Sequence, residues 1–480
     1  MLANLLVNLH QDKKMKVEQI YTGCLAQGAY YIESNGEVAI IDPLREVDDY
    51  IARAAESGAK INYIFETHFH ADFVSGHVTL SEKTGAPIVF GPTATPSFNA
   101  HIATDNEEFK IGNVTIIALH TPGHTMESTT YLLKDENGKD HCIFSGDTLF
   151  LGDVGRPDLA QKAATMTQEE LAGILFDSLR NKIMPLANDV IVYPGHGAGS
   201  ACGKNMMKET VDTLGNQKAM NYALRADMTR DEFIAEVTDG LAPPPAYFPM
   251  NVQMNKEGYA HIENVIAKGK TALSPDAFEA AANETDAIIL DVRKEGEFVK
   301  GHIPRSIFIG IDGGFAPWVG ALVRDVKQQI LLVSDENRLD EVITRLSRVG
   351  FDNTIGYLAG GFDAWKVANK ETDTIRSISA SEFENEWNSN HLPVFDMRKE
   401  GEWNSGHLTE ANHVCLSNIN AQLAEFPTDK NFYVHCAGGY RSVIAASILK
   451  SRGYHNLVDV AGGYGAIKQT GLSKTDALPA

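Results

Sequence analysis

Two sets of side chains in this sequence have the types and the spacing for chemistry. One is a set of imidazoles and carboxylates: His68, His70 and Asp72 in THFHADF, His124 in TPGHT, Asp147 in FSGDT and His196 in YPGHG. Imidazole nitrogens and carboxylate oxygens together bind first-row transition metals. A lone histidine after a strand is usually structural, but four such motifs between His68 and His196, one of them His-x-His-x-Asp, point to a metal centre. The other set is built on a single thiol, Cys436 in VHCAGGYRS, with Arg441 five residues on. Gly438 and Gly439 allow the loop running from Cys436 through Ala437 and Tyr440 to turn backbone N–H groups toward the sulfur. A helix start and an arginine both lower a thiol's pKa and make it a nucleophile at neutral pH. This is a cradle for a persulfide.

The elements that must position these groups are short β-branched runs. NYIFET, VTIIALH, CIFSGD and VIVYPGHG each lead into a motif or contain one, and helical stretches alternate with them. The pattern predicts an α/β fold, in which loops at the strand ends converge on one crevice and bring together ligands remote in sequence. Beyond residue 265 the chain repeats itself. IILDVRKEGEFVKGHIP, with Asp291 and His302, returns as VFDMRKEGEWNSGHLTE, with Asp396 and His407, and Gly360-Gly361 returns as Gly462-Gly463. Two copies of about 100 residues each are the size of small domains, too long for solenoid units. With 480 residues, about three domains are expected. Their expected bounds are an N-terminal extension 1–14, a large domain 15–250, a linker 251–265 announced by three consecutive prolines, and two copies over 266–372 and 373–480.

Asp and Glu outnumber Lys and Arg by 63 to 42, a net charge of −21, so a phosphate backbone or an anionic membrane would be repelled. No apolar run approaches the ~18 residues of a transmembrane helix, and the leader MLANLLVNLHQDKK lacks the marks of a secretion signal. The cysteines are Cys24, Cys142, Cys202, Cys415 and Cys436, odd in number and scattered, which makes no disulfide framework. The expectation is a cytoplasmic protein with neither nucleic-acid nor membrane partners. Cys24, Cys142 and Cys415 read as structural, Cys415 on a strand entering the core. Cys202 follows His196 in YPGHGAGSACGK and is expected near the metal mouth, where it would carry or exchange a persulfide.

From His68 through His196 the motifs resemble the metallo-β-lactamase superfamily, over roughly residues 15 to 250. The resemblance implies a four-layered αββα sandwich with metal at one sheet edge. The superfamily's fullest motif is His-x-His-x-Asp-His, and here Phe73 holds the last position. In its dinuclear hydrolases that last histidine, with the residues matching Asp72, Asp147 and His196, holds a second metal, and a benzyl ring has no lone pair to offer. What remains can be a mononuclear site of two histidines and one carboxylate, typical of non-haem Fe(II) oxygenases. THFHADFVSGH, TPGHT and FSGDT together resemble the persulfide dioxygenase branch. That likeness implies His68, His124 and Asp147 as iron ligands, with His70, Asp72 and His196 orienting them through hydrogen bonds. Spacing alone leaves His70 open as a direct ligand. Met126 and Glu127 depart from the Pro-Gly-Ser common after TPGHT, which either reshapes the substrate pocket or is without consequence.

The last copy, with Asp396, His407 and the AGGY motif, resembles a rhodanese domain, whose cysteine accepts and donates sulfane sulfur. Related phosphatase loops are one residue longer than the Cys-x₄-Arg spacing here. The first copy reads Val333-Ser-Asp-Glu-Asn-Arg338 at that place, two residues shorter and without cysteine, and Asp335 and Glu336 would repel an anionic sulfur species. It is expected to be an inactive rhodanese-like domain. Glu295 and Glu297, repeated as Glu400 and Glu402, read as a solvated helix face. The whole chain thus resembles a multidomain persulfide dioxygenase-sulfurtransferase. The likeness implies one Fe(II) per chain, oxidation of a low-molecular-weight persulfide by O₂ to sulfite, conversion of sulfite and sulfane sulfur to thiosulfate at Cys436, and a homo-oligomer. Two rival expectations are a dinuclear zinc thioester hydrolase of the glyoxalase II type and a sulfur carrier without oxidase activity.

Overall fold

The computed structural model describes residues 15–159, 165–241 and 243–475; the extension expected over 1–14 lies outside the described residues. The chain divides into two compact units, Met1–His261 with Arg348–Gly350, and Ile262–Ser347 with Phe351–Ala480.

Among the described residues the first unit holds two six-stranded sheets, each with its strands in sequence order. One contains β1 (Lys16–Thr22), β2 (Gln27–Ser34), β3 (Glu37–Ile41), β4 (Lys60–Phe65), β5 (Ile88–Phe90) and β6 (His101–Ile102). The other contains β7 (Glu108–Ile111), β8 (Val114–His120), β9 (Thr129–Lys134), β10 (Asp140–Gly146), β11 (Ile191–Pro194) and β12 (Asp212–Thr213). Alternate side chains of a strand face opposite ways. Tyr30 and Ile32 of β2, with Ile41 and Phe65, pack against Ile116, Tyr131, Leu133 and Phe144 of the second sheet to form the central core. Ala29 and Tyr31, their immediate neighbours, join Tyr50, Ala54 and Leu80 from the helices Asp48–Ser57 and His77–Thr84 on the outer face. The far face of the second sheet is covered by Leu175, Leu179, Phe233 and Val237. These strands therefore read as continuous apolar runs rather than alternating ones, because both faces are buried. The result is the four-layered αββα sandwich.

Residues 251–265, expected as a linker, are largely helical, in Phe248–Glu257 and Ile262–Gly269. The first of these helices belongs to the sandwich. Asn255 donates its side-chain amide to the carbonyls of His70 and Phe73, both at 2.8 Å, and accepts from the Ser75 amide at 2.9 Å. Pro243, Pro244 and Pro245 precede the helix and Pro249 sits in its first turn, where proline's missing N–H costs nothing.

The second unit contains two five-stranded sheets of identical, all-parallel topology. The first runs β13 (Ala272–Leu273), β17 (Thr354–Leu358), β16 (Ile330–Val333), β14 (Ile288–Asp291), β15 (Ile307–Phe308) from edge to edge. The second runs β18 (Ser377–Ile378), β22 (Leu457–Val460), β21 (Phe432–His435), β19 (Val394–Asp396), β20 (Asn412–His413). Cys436 directly follows the central strand β21, and Asp396 ends its neighbour β19. Among the described residues no helix is long and apolar enough to cross a membrane.

Candidate metal centre and thiol loop

At the sheet edge of the first unit, ligand atoms of His68, His124 and Asp147 lie within 4.8 Å of one another, all buried. His68 Nε2 is 3.9 Å and His124 Nε2 is 3.4 Å from Asp147 Oδ2, and His196 Nε2 is 3.5 Å from Oδ1. The hydrogen bonds on the far side of each ring fix which nitrogen carries the proton. Thr67 Oγ1 donates to Asp42 Oδ2 at 2.8 Å, so it accepts from His68 Nδ1 at 3.0 Å. His124 Nδ1 donates to the Arg156 carbonyl at 2.8 Å and His196 Nδ1 to the Ala26 carbonyl at 3.3 Å. With Nδ1 as the donor on its far side, each ring turns its Nε2 toward Asp147. Burial alone would lower the pKa of His196, but the Asp72 and Asp147 charges prevail and push it well up. Burial, and then the neighbouring imidazoles, hold His68 well below its ordinary pKa, which keeps that ring neutral.

Asp147 supplies the test of fit for a metal. Both of its carboxylate oxygens are buried and neither has a hydrogen-bond partner. A buried carboxylate without hydrogen bonds is costly unless a cation stands beside it, and two imidazole lone pairs and the carboxylate converging on one point are a donor set for such a cation. The glycine of YPGHG makes room for this: a Cβ at Gly195 would lie 2.6 Å from Asp147 Oδ1 and 3.0 Å from the Gly146 carbonyl carbon.

His70 stands differently. Its Nε2 faces Asp42 Oδ1 at 3.1 Å and Glu66 Oε2 at 3.4 Å. Burial alone would lower its pKa, but the two carboxylates prevail and push it up to about 10. The ring of Phe73, fully buried, packs on His70 with centroids 4.3 Å apart. A second cluster, His70, Asp72 and His196, also has ligand atoms within 4.8 Å of one another. Within it Asp72 Oδ2 lies 3.4 Å from His196 Nε2. Cys202 joins Asp147 and His196 in a third cluster, which places the thiol beside the centre. Burial, and then the Asp72 and Asp147 charges, push that thiol up to about 12. Glu127 accepts a hydrogen bond from the Phe69 amide at 3.1 Å and so ties the loop after TPGHT to the His-x-His motif.

In the second unit the Cys436 sulfur is buried and accepts a hydrogen bond from the Gly439 amide at 3.1 Å. The helix Tyr440–Ser451 starts at that point, with Gly439 as its cap at φ 111°. The AGGY loop supports the cradle from behind, where Tyr464 N donates to the Cys436 carbonyl at 2.6 Å and Gly465 N to the Ala437 carbonyl at 3.0 Å. A Cβ at Gly463 would fall 2.3 Å from the Cys436 carbonyl oxygen. Arg441 makes a two-pronged pair with Glu402, at 2.6 and 2.7 Å. Glu402 is therefore not simply part of a solvated helix face. Cys415 is corrected as well: it lies half-buried in the loop after β20, its sulfur 3.2 Å from Ser417 Oγ, because that strand ends at His413. In the first copy, Glu336 Oε1 accepts from the Gly360 amide at 2.9 Å, so a carboxylate occupies the glycine loop there. Sequence reasoning missed Asp42, Glu66, Thr67, Asn255 and Glu402; Asp42, at the end of the run VAIID, and Glu66 and Thr67, at the end of NYIFET, repeat the strand-end pattern that marked the other groups.

The profile of the metallo-beta-lactamase superfamily matches residues 22–196, and that of the rhodanese-like domain matches 274–368 and 379–470. A solved metallo-beta-lactamase from Staphylococcus aureus subsp. aureus COL aligns at 31% identity with a TM-score of 0.62, covering 72% of this chain and 99% of that one. The chain belongs to the metallo-β-lactamase superfamily. Its superfamily domain is followed by rhodanese-like domains. Among superfamily relatives, the mitochondrial persulfide dioxygenase ETHE1 of Mus musculus is 27% identical over 46% of this chain and 78% of its own length. A probable hydroxyacylglutathione hydrolase of Schizosaccharomyces pombe is 30% identical over 34% of this chain and 60% of its own. As a member of this superfamily with clustered buried ligands, the protein is a metal-binding one.

Proposed function

We propose that the metal domain is a mononuclear non-haem Fe(II) dioxygenase for low-molecular-weight persulfides and that Cys436 is the carrier of a thiosulfate-forming sulfurtransferase. The observation that carries the first half is the pairing of Asp147, buried without hydrogen bonds between His68 and His124, with Phe73 and a carboxylate-held His70 at the positions a second ion would need. Iron bound by His68, His124 and Asp147 would supply redox chemistry with open coordination positions for the two substrates. The protein's part is to present two neutral imidazoles through Thr67 and the Arg156 carbonyl, to hold Asp72 and His196 as a polar pair beside them, and to keep the site dry. In the overall reaction a persulfide, O₂ and one water give the thiol, sulfite and two protons. At the second site the persulfidated Cys436 gives its outer sulfur to sulfite, leaving the thiolate and releasing thiosulfate. The Gly439 amide and the helix start stabilise that leaving thiolate. Cys202, beside Asp147 and His196, is proposed to hold or exchange a persulfide near the metal.

The test is an oxygen-electrode trace of iron-loaded protein given a persulfide, with sulfite and thiosulfate quantified. The Cys436→Ser protein should consume O₂ normally and accumulate sulfite in place of thiosulfate. A Cys202→Ser protein with unchanged rates and products would remove Cys202 from the scheme. The cluster of His70, Asp72 and His196 favours a second reading, a dinuclear zinc thioester hydrolase; two zincs per chain, thioesterase activity and no O₂ uptake would establish that one instead.

A further inference from the structure

The copy without cysteine touches the persulfide loop of the copy that has it. Tyr440, the residue before Arg441 in the loop, donates its hydroxyl hydrogen bond to the carbonyl of Gly310 at 2.7 Å. Its ring meets Phe308 edge-on, centroids 5.8 Å apart. The surface it rests on is the turn after β15. That turn is closed by Gly313 N donating to the Gly310 carbonyl at 3.2 Å, and it is tied to the end of β14 by Ile311 N donating to the Val292 carbonyl at 3.0 Å. The turn fits the ring only because it is bare. A Cβ at Gly313 would lie 2.3 Å from Tyr440 Cζ and 2.6 Å from its hydroxyl oxygen, and one at Gly310 would lie 3.2 Å from Cε2. Further along the same helix, Ser447 Oγ accepts from the Phe308 amide at 3.0 Å, and Lys450 pairs with Asp373 at 3.0 Å. The helix whose first turn holds the cysteine's anion site is thus pinned by the first copy near its start and its middle, and near its end by Asp373, in the stretch that joins the two copies.

We propose that the silent copy is a working part of the sulfurtransferase site: its Gly310–Gly313 turn anchors Tyr440 and thereby fixes the loop that holds the Cys436 persulfide. Tyr440 is a positioning residue, and Gly313 is the residue whose lack of a side chain permits it. This rests on the sulfurtransferase reading of Cys436. The physical basis is direct. The Gly439 amide that holds the sulfur is adjacent to Tyr440 in the chain, so a side chain at 313, by pushing the ring off Gly310, removes the hydrogen bond that ties this end of the loop in place.

The test uses the full-length protein and two readouts. The first is the rate at which Cys436 is alkylated by iodoacetamide as a function of pH, followed on the Cys436 peptide by mass spectrometry. The second is sulfur transfer from thiosulfate to cyanide. Tyr440→Phe removes one hydrogen bond and should slow sulfur transfer by about 2- to 10-fold, with the alkylation profile altered. Gly313→Val should cost more than Tyr440→Phe in both readouts. Persulfide-dependent O₂ uptake by Gly313→Val should match the wild type. The decisive comparison is Gly313→Val with Tyr440→Ala: if the two residues act through their contact, the double variant is no worse than Tyr440→Ala alone. An unaltered alkylation profile in Gly313→Val overturns the proposal, as do effects of Gly313→Val and Tyr440→Ala that simply multiply. Wild-type protein that transfers no sulfur from thiosulfate would defeat the sulfurtransferase reading instead, while the alkylation profiles would still report whether the first copy controls the loop.

Discussion

Replacing Thr67 by Val tests the tautomer argument at the metal centre most directly. Valine has nearly the shape of threonine, so the cavity is preserved and only the hydroxyl is lost. That hydroxyl accepts from His68 Nδ1 and donates to Asp42 Oδ2. Without it the His68 N–H is buried with no acceptor, at a cost of about 1–3 kcal/mol. Asp42 keeps the Thr67 backbone amide at 2.8 Å and His70 at 3.1 Å, so its own loss is smaller. Shifting the His68 proton to Nε2 would relieve the stranded group but would place it where the lone pair must face the ion. Metal affinity should therefore fall by about 10- to 100-fold, the usual effect of losing such an outer hydrogen bond. The assay is anaerobic competition for Fe(II) against a chelator of known affinity, with thermal unfolding of the metal-free protein alongside. An Fe(II) Kd within twofold of the wild type, in protein of unchanged Tm, would refute the claim that Thr67 sets the ring's proton.

Three further outcomes follow from the geometry. Phe73→His should raise the metal bound per chain above that of the wild type by elemental analysis, since it adds a lone pair against His70, which clusters with Asp72 and His196; an unchanged stoichiometry would mean that the held proton on His70, not the benzyl ring, excludes a further ion. Glu402→Gln releases Arg441 from a partly exposed pair worth at most about 1 kcal/mol, so Tm should hardly move while KM for thiosulfate falls as the guanidinium becomes free for an anion; a raised KM would show that Glu402 positions Arg441 productively. Asp459 is pushed up to about 6 by burial, against hydrogen bonds from Ser442 and Ser377. The unfolded chain therefore releases this proton first, and stability contributed by the protonated carboxyl is lost as pH rises from about 4 to about 6. Asp459→Asn should accordingly raise the unfolding free energy by roughly 1–3 kcal/mol at neutral pH and change it little at pH 4, measured by urea denaturation at both pH values.

The parts of the site that the sequence announced are those fixed to strand ends. His68, His124, Asp147 and His196 each follow an apolar strand within a few residues, and a short strand-end motif is visible however far its partners lie along the chain. Cys436 was legible for the same reason, and the repeat exposed the paired architecture of the second unit. What stayed hidden depends on approach through space. Asp42 is one carboxylate after one strand, with no motif around it, and its role exists only because Thr67 and His70 come to it. Glu402 has the sequence of a surface helix acid, yet half its function is the arginine of a loop 39 positions away. Cys415 looked like a strand residue because its neighbours are apolar, but β20 is only two residues long. The proline run before residue 246 looked like a boundary, although proline is as compatible with the start of a helix as with a break.

The carboxylate of Glu336 bonded to the Gly360 amide has an evolutionary edge. A decayed pocket is often imagined as vacant and ready for revival by restoring its lost nucleophile. This one carries an anion of its own, in a loop two residues shorter than the one that wraps the Cys436 sulfur. A cysteine placed in the first copy would face a resident negative charge, so no single substitution would reproduce the Cys436 loop there.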